Sequence, residues 1–194
     1  MKITIFYYKI WKILYNAFIS KGMIKMIEMN VMGIALDTRT GTPIVVLNDL
    51  DNRKALPIWI GSAEASSIIR KIENIPSTRP MTHDLFVDFV DQMNGELKYV
   101  EITDVNEQTY FATIVIENMN GEEIYVDSRP SDAISIALRA KAPIYVSTEV
   151  MARGAISVNS EKDKQEEEEF KNFIQEVKPS DFEKLINKNF ESDT

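Results

Sequence analysis

From Glu28 onward, short apolar runs alternate with turn signals, and the spacing is that of strands before it becomes that of helices. Met29, Val31, Gly33 and Ala35 interleave with Asn30, Met32, Ile34 and Leu36, a run apolar enough for a largely buried strand. Thr38-Arg39-Thr40-Gly41-Thr42 reads as a turn, with Gly41 free to take positive φ. Residues 43–47 and 54–60 make two further strands around Asn48-Asp49-Leu50-Asp51-Asn52, a loop whose aspartates are turn formers rather than a ligand pair. A three-stranded meander is predicted.

Helical spacing takes over at Ala65, Ile68, Ile69 and Ile72, with Ser62 predicted as the N-cap. Thr82 is predicted to cap a second helix whose buried stripe is Leu85, Phe86, Phe89, Val90 and Met93, stopped by Asn94-Gly95. Strand patterns return over 97–103, 110–117 and 123–126, with a turn at Asn120-Gly121. Pro130 opens a third helix with Ala133, Ile134, Ala137 and Leu138 inward, and 143–147 forms one more short strand. Arg153-Gly154 reads as a loop. The expected fold is α+β, mainly an antiparallel β-sheet meander packed with three helices, plus a C-terminal helical tail.

Three sections follow from this pattern: an apolar and basic extension over 1–22, a domain over 23–158, and an acidic linker with C-terminal helices over 159–194. In the last, the charge run 161–169 precedes the stripes Phe170, Phe173, Ile174, Val177 and Phe182, Leu185, Ile186. Residues 1–22 carry four lysines and no acid, and Lys9 and Lys12 interrupt the apolar run. The segment admits three readings: a membrane-surface helix, a degenerate signal or anchor, or an over-extended start with translation beginning at Met23 or Met26. Membrane contact is not the favoured one, and a cytoplasmic location is expected.

Composition narrows the chemistry. The 194 residues are 44% hydrophobic, which suits one ordinary domain and excludes a disordered chain. With no cysteine, disulfides, zinc ribbons and thiol nucleophiles are excluded, and the lack of thiols suits a reducing compartment. A single histidine excludes an all-imidazole metal site, so a metal would need oxygen ligands and be a hard cation such as Mg²⁺ or Mn²⁺. No glycine-rich phosphate loop, serine elbow or dinucleotide fingerprint is present, so no organic cofactor is expected. The net charge is −8, and residues 23–160 hold 12 basic against 19 acidic side chains. An acidic body has no general attraction for phosphate backbones, so a polyanion has to be met by local arginines or through a metal.

Two segments repeat one local design: Arg79-Pro80-Met81-Thr82-His83-Asp84 and Asp127-Ser128-Arg129-Pro130-Ser131-Asp132. Each places an arginine just before a proline, and a hydroxyl and a carboxylate in the opening turn of a helix. Helix starts expose unpaired N–H groups and a positive dipole end, and the arginine adds a forked donor matched to phosphate. Ordinary capping is the bland account of either segment alone. The arginine present in both is what capping does not require. His83 is the only imidazole and, beside Asp84, is placed to act as general base or acid; a histidine hydrogen-bonded within a core is the plain alternative. Glu64 fits dipole compensation at the start of its helix.

The run Trp59-Ile60-Gly61-Ser62-Ala63-Glu64-Ala65, then RPMTHDLF at 79–86, then DSRPSDAISIALR at 127–139, resembles the bifunctional nuclease domain family. Pro143-Ile144-Tyr145-Val146 and Lys178-Pro179-Ser180-Asp181-Phe182 fit its usual ending. The resemblance implies a compact α+β fold, a homo-oligomer, and hydrolysis of phosphodiester bonds in RNA and DNA, as ascribed to some members. Many members carry a C-terminal helical-hairpin module where this chain has a short acidic tail, and the N-terminal extension also departs from the pattern.

Two hypotheses result. In the first, the chain is a nuclease in which Arg79, Thr82, Ser128, Arg129 and Ser131 bind substrate and His83, Asp84, Asp127 and Asp132 are catalytic. Glu64, Asp84 and Asp132 would hold a divalent cation, and RNA and DNA would bind weakly. In the second, the same arginines and aspartates are ion pairs that lock helix starts and a subunit interface in a non-catalytic binding or regulatory module.

Overall fold

The computed structural model describes residues 25–158, Gln108 excepted; the expectations for 1–22 and for the tail beyond 158 lie outside these residues. Strands β1 (Met26–Leu36), β2 (Pro43–Asp49) and β3 (Lys54–Trp59) form the predicted antiparallel meander. Helices α1 (Ser62–Ile72) and α2 (Thr82–Gln92) follow, and then a second meander of β4 (Glu96–Asn106), β5 (Thr109–Glu117) and β6 (Glu123–Ser128). Helix α3 (Pro130–Ala140) returns the chain to β7 (Ile144–Ser147), and α4 (Thr148–Gly154) leads to β8 (Ile156–Ser157).

β7 joins the two halves. It pairs antiparallel with β1 and parallel with β4, so all eight strands make one sheet in the order β6-β5-β4-β7-β1-β2-β3-β8. A parallel neighbour needs a long crossover, and α3 supplies it. The two tight turns use glycine at positive φ, Gly41 between β1 and β2 (φ 69°) and Gly121 between β5 and β6 (φ 78°). The loop after β2 is a turn as read: Asp49 Oδ1 accepts from the Arg53 and Lys54 N–H groups at 2.7 and 3.1 Å.

α3 packs against both α1 and α2 and against β4 and β5. Its inward residues Ala133, Ile134 and Ala137 are fully buried, and the two alanines one turn apart let the neighbouring helices approach closely. Leu47, Leu56, Val100, Ile102 and Ile114 complete the same core from the sheet. The consequence for function is geometric. With α3 between them, the start of α2 and the start of α3 are brought side by side.

Four details differ from the sequence reading. Ser62 and Thr82 are first helical residues, and the cap positions belong to Gly61 and Met81. The residues around Arg153 and Gly154 are helical, because Ser147 Oγ accepts the Val150 N–H at 3.1 Å and starts α4. The described residues therefore hold four helices rather than three. On α2 the inward face is Phe86, Val87 and Val90, while Leu85, Phe89 and Met93 form a ridge, each 61% exposed. No described helix is long and apolar enough to cross a membrane.

Candidate functional site

The two arginine-proline helix starts meet through His83. Its Nε2 lies 3.1 Å from Asp132 Oδ1 in the first turn of α3, and its Nδ1 lies 3.0 Å from Ser67 Oγ in α1. A carboxylate only accepts, so Nε2 carries a proton and, in the neutral ring, Nδ1 accepts from the serine hydroxyl. Both ring nitrogens are thus engaged, and the side chain is 15% exposed. In this arrangement both ring nitrogens are committed, and His83 fixes Asp132.

Asp132 carries the arrangement outward. Arg129 is the N-cap residue of α3, and its guanidinium turns back over the first turn. Nε donates to Asp132 Oδ2 at 2.7 Å and Nη2 to Oδ1 at 3.2 Å, a forked pair. Nη1 donates to Glu64 Oε1 on α1 at 2.7 Å. Gly61 is what lets Glu64 reach this place: a Cβ there would stand 2.2 Å from Glu64 Oε2. The Arg129 side chain is nevertheless 65% exposed. It borders a cleft of about 430 Å³ whose other walls include Trp59, Gly61, Glu64, Tyr110 and Ser131. Trp59 is exposed, and its indole N–H donates to Asp37 Oδ2 at 3.3 Å, which sets the ring.

Behind His83 lies a second ion pair. Arg139, on α3, donates from Nε to Asp84 Oδ1, from Nη1 to the Ser135 carbonyl at 2.9 Å and from Nη2 to the Ser67 carbonyl at 3.3 Å. Asp84 Oδ2 also accepts the Met81 N–H at 2.9 Å. Glu64, Arg129, Asp132, His83, Ser67, Arg139 and Asp84 therefore form one continuous polar chain across α1, α2 and α3.

Burial alone would raise the Asp84 carboxyl, but the Met81 N–H, Arg139 and Lys71 outweigh it and hold it below its ordinary value. At Asp132 burial is likewise overcome, by hydrogen bonds from Arg129 and His83 and by their charge. Arg129 is held still more firmly protonated, first by its hydrogen bond to Asp132. Because both folded-state aspartate values are depressed, the unfolded chain binds more protons in acid. The stability these groups contribute is complete above about pH 4–5 and is lost as pH falls through their folded-state values. Thermal melts from neutral pH downward check this: Asp84→Asn flattens the acid limb, and a limb unchanged by that substitution contradicts the assignment.

The other residues singled out in the sequence are placed as follows. Ser131 is buried and lines the Arg129 cleft. Ser128 points to the helix side of β6, as its neighbour Val126 does, and its Oγ is buried with no hydrogen-bond partner among the described residues. Asp127, between them, faces the opposite side of the sheet by strand alternation and does not join the cluster. Thr82 is exposed at the start of α2. Arg79 opens on a different cavity, beside Asp84 and Arg139, so the two motif arginines do not share a cleft.

The suggested cation ligands do not converge. Glu64 and Asp132 are both turned onto one guanidinium, and Asp84 is turned away onto Arg139. Among the described residues no three His, Asp or Glu side chains are grouped to hold a metal ion. The donor set in this arrangement does not fit a hard cation that wants several free oxygen ligands.

Ser67 and Arg139 belong to the site but were not legible as such. Each sits in mid-helix or near a helix end, where a serine beside apolar residues and an arginine in a last turn have ordinary explanations.

Residues 45–159 match a family described as the bifunctional nuclease domain. An uncharacterized protein of Mycobacterium tuberculosis is 35% identical over 163 residues, covering 80% of this chain and 97% of that protein. Bifunctional nuclease 2 of Oryza sativa subsp. japonica is 29% identical over 126 residues. Bifunctional nuclease 1 of Arabidopsis thaliana is also 29% identical over 126 residues. Each of the two plant alignments covers 63% of this chain and 39% of the plant protein.

Proposed function

The chain belongs to the bifunctional nuclease domain family, and from that premise we propose that it hydrolyses phosphodiester bonds of RNA and DNA in the Arg129 cleft. The observation that carries the reading is the exposed guanidinium of Arg129, held between Glu64 and Asp132 where the starts of α1 and α3 meet.

Asp132 grips Arg129 through two hydrogen bonds and Glu64 through one, so a phosphate displaces Glu64 first. Nη1 then turns to a non-bridging phosphate oxygen, while the Asp132 fork, braced by His83, keeps the guanidinium in place. Glu64, released and close by, accepts a proton from a water molecule as the water oxygen bonds to phosphorus. The bond from phosphorus to the leaving sugar oxygen breaks, and that oxygen takes a proton from solvent. Arg129 offsets the charge that builds on the phosphoryl oxygens. Ser131 lines the same cleft and offers a hydroxyl to the phosphate. Trp59 offers an exposed aromatic face to a neighbouring base. With a net charge of −8, the protein binds nucleic acid weakly and in a salt-sensitive manner.

The test is cleavage of single-stranded RNA and DNA by purified protein, with EDTA and with Mg²⁺ or Mn²⁺. Wild-type protein is expected to cut, and Glu64→Gln to lower the rate by roughly 10²–10⁴-fold, the usual worth of a positioned base. Equal cutting by both proteins would remove Glu64 as the base, and no cutting under any condition would end the nuclease reading. The second reading, in which the motif pairs only fasten helix starts, is favoured at one place: the Arg139–Asp84 pair, where the arginine is 6% exposed.

A further inference from the structure

The opposite side of the α2 start carries a concentration of positive charge that the fold does not require. A cavity of about 400 Å³ between α1 and α2 is lined by Arg70, Lys71, Arg79 and Arg139, with Asp84 the only acidic group in its wall among the described residues. Asp84 is already committed to Arg139 and also feels the charge of Lys71, so among the described residues the wall holds four cations against one carboxylate.

Local structure explains two of them. Arg70 and Lys71 lie in the last turn of α1, where cations complement the helix dipole, and Arg70 also donates to the Pro76 carbonyl at 3.3 Å. Arg79 has no such reason. It stands two residues before Met81, the cap of α2, at the end of a helix dipole that repels a cation. It is exposed, and no hydrogen bond or ion pair holds its guanidinium among the described residues. Ser77 and Thr78 of the same loop add hydroxyl groups to the wall. Forked guanidinium groups with an ammonium and hydroxyls are the donor set of a phosphate site.

We propose that this cavity binds a second phosphate of the nucleic-acid strand whose scissile phosphate lies at Arg129. The proposal rests on the nuclease reading for the identity of the strand. Continuity between the two sites comes from consecutive residues of α2: His83 braces the Arg129 cleft through Asp132, and Asp84 lines the basic cavity. A strand crossing the start of α2 passes from one to the other.

The experiment compares wild-type protein with an Arg79→Gln, Lys71→Gln variant, and with an Arg53→Gln, Lys54→Gln control that removes the same charge from residues lining neither cavity. Anisotropy of a short fluorescein-labelled single strand in EDTA gives affinity across a salt series. A parallel titration uses inorganic pyrophosphate. The cavity variant is expected to bind the strand at least about tenfold more weakly, with a salt slope shallower by about 0.7, the contribution of one phosphate contact to a single strand. The control is expected to stay near wild type. Equal losses in variant and control, or none in either, overturn the proposal. Loss of pyrophosphate binding with strand binding unmoved also overturns it, leaving a site for free anions. Failure of the nuclease reading shows separately, as absence of cleavage by wild-type protein whatever the binding result.

Discussion

Arg139→Met is expected to lower the unfolding free energy by about 3 kcal/mol. The arginine side chain is 6% exposed and ties three elements together: Asp84 at the start of α2, Ser67 in α1 and Ser135 in its own helix. Methionine fills comparable volume but leaves the Asp84 carboxylate without its cation and removes the second donor from two helix carbonyls. Breaking a buried pair from one side costs about 3–5 kcal/mol. The low end applies here, because Asp84 reaches solvent and keeps the Met81 N–H and the charge of Lys71. Adding Asp84→Leu removes the stranded charge and is expected to recover more than half of the loss. Urea denaturation with unchanged m-values reads both effects. A loss under about 1 kcal/mol for Arg139→Met would show that the pair does not fasten the three helices.

The contrast between the two arginines explains how much of the site the sequence disclosed. The strands and helices were legible because apolar spacing and turn residues act locally: Gly41 and Gly121 sit where positive φ is needed, and Pro130 stands at the first position of its helix. The pairing of the motifs was also legible in outline, since both helix starts carry an arginine, a hydroxyl and an acid. Partner choice was not. Asp84 and Arg139 are 55 positions apart, and His83 and Asp132 are 49 apart. Nothing along the chain says that Asp84 turns away from Glu64 and Asp132. Strand alternation removes Asp127 from the group, a consequence visible only once β6 is known to place Val126 and Ser128 against the core. The α2 ridge failed for a similar reason. Five apolar residues span more of the helix circumference than α3 covers, and the sequence does not say which part is left over.

These placements divide the acidic and basic groups by task. The buried end of the polar chain, Arg139 with Asp84, holds the helices together. His83 and Ser67 lie in the middle, with both ring nitrogens of His83 engaged, and link the two ends. At the other end the Arg129 guanidinium is exposed, and displacing Glu64 leaves it still paired with Asp132.

Arg129→Ala is therefore expected to separate function from stability. An ion pair with an exposed partner contributes about 0–1 kcal/mol, and Arg129, 65% exposed, makes two, with Glu64 and Asp132, so the variant is expected to unfold within about 2 kcal/mol of wild type. Cleavage is expected to fall by roughly 10²–10³-fold, the usual worth of one preorganised donor to developing negative charge. Arg129→Lys keeps a charge but cannot hold the Asp132 fork and a phosphate oxygen together, and is expected to recover only a small part of the rate. If Arg129 were a fastener like Arg139, the pattern would invert: the alanine variant would lose stability in step with activity, and lysine would restore both through its charge. Denaturation and single-turnover cleavage measured on the same preparations distinguish the two. A variant that is both stable and fully active would remove Arg129 from the mechanism and leave the cleft without its phosphate donor.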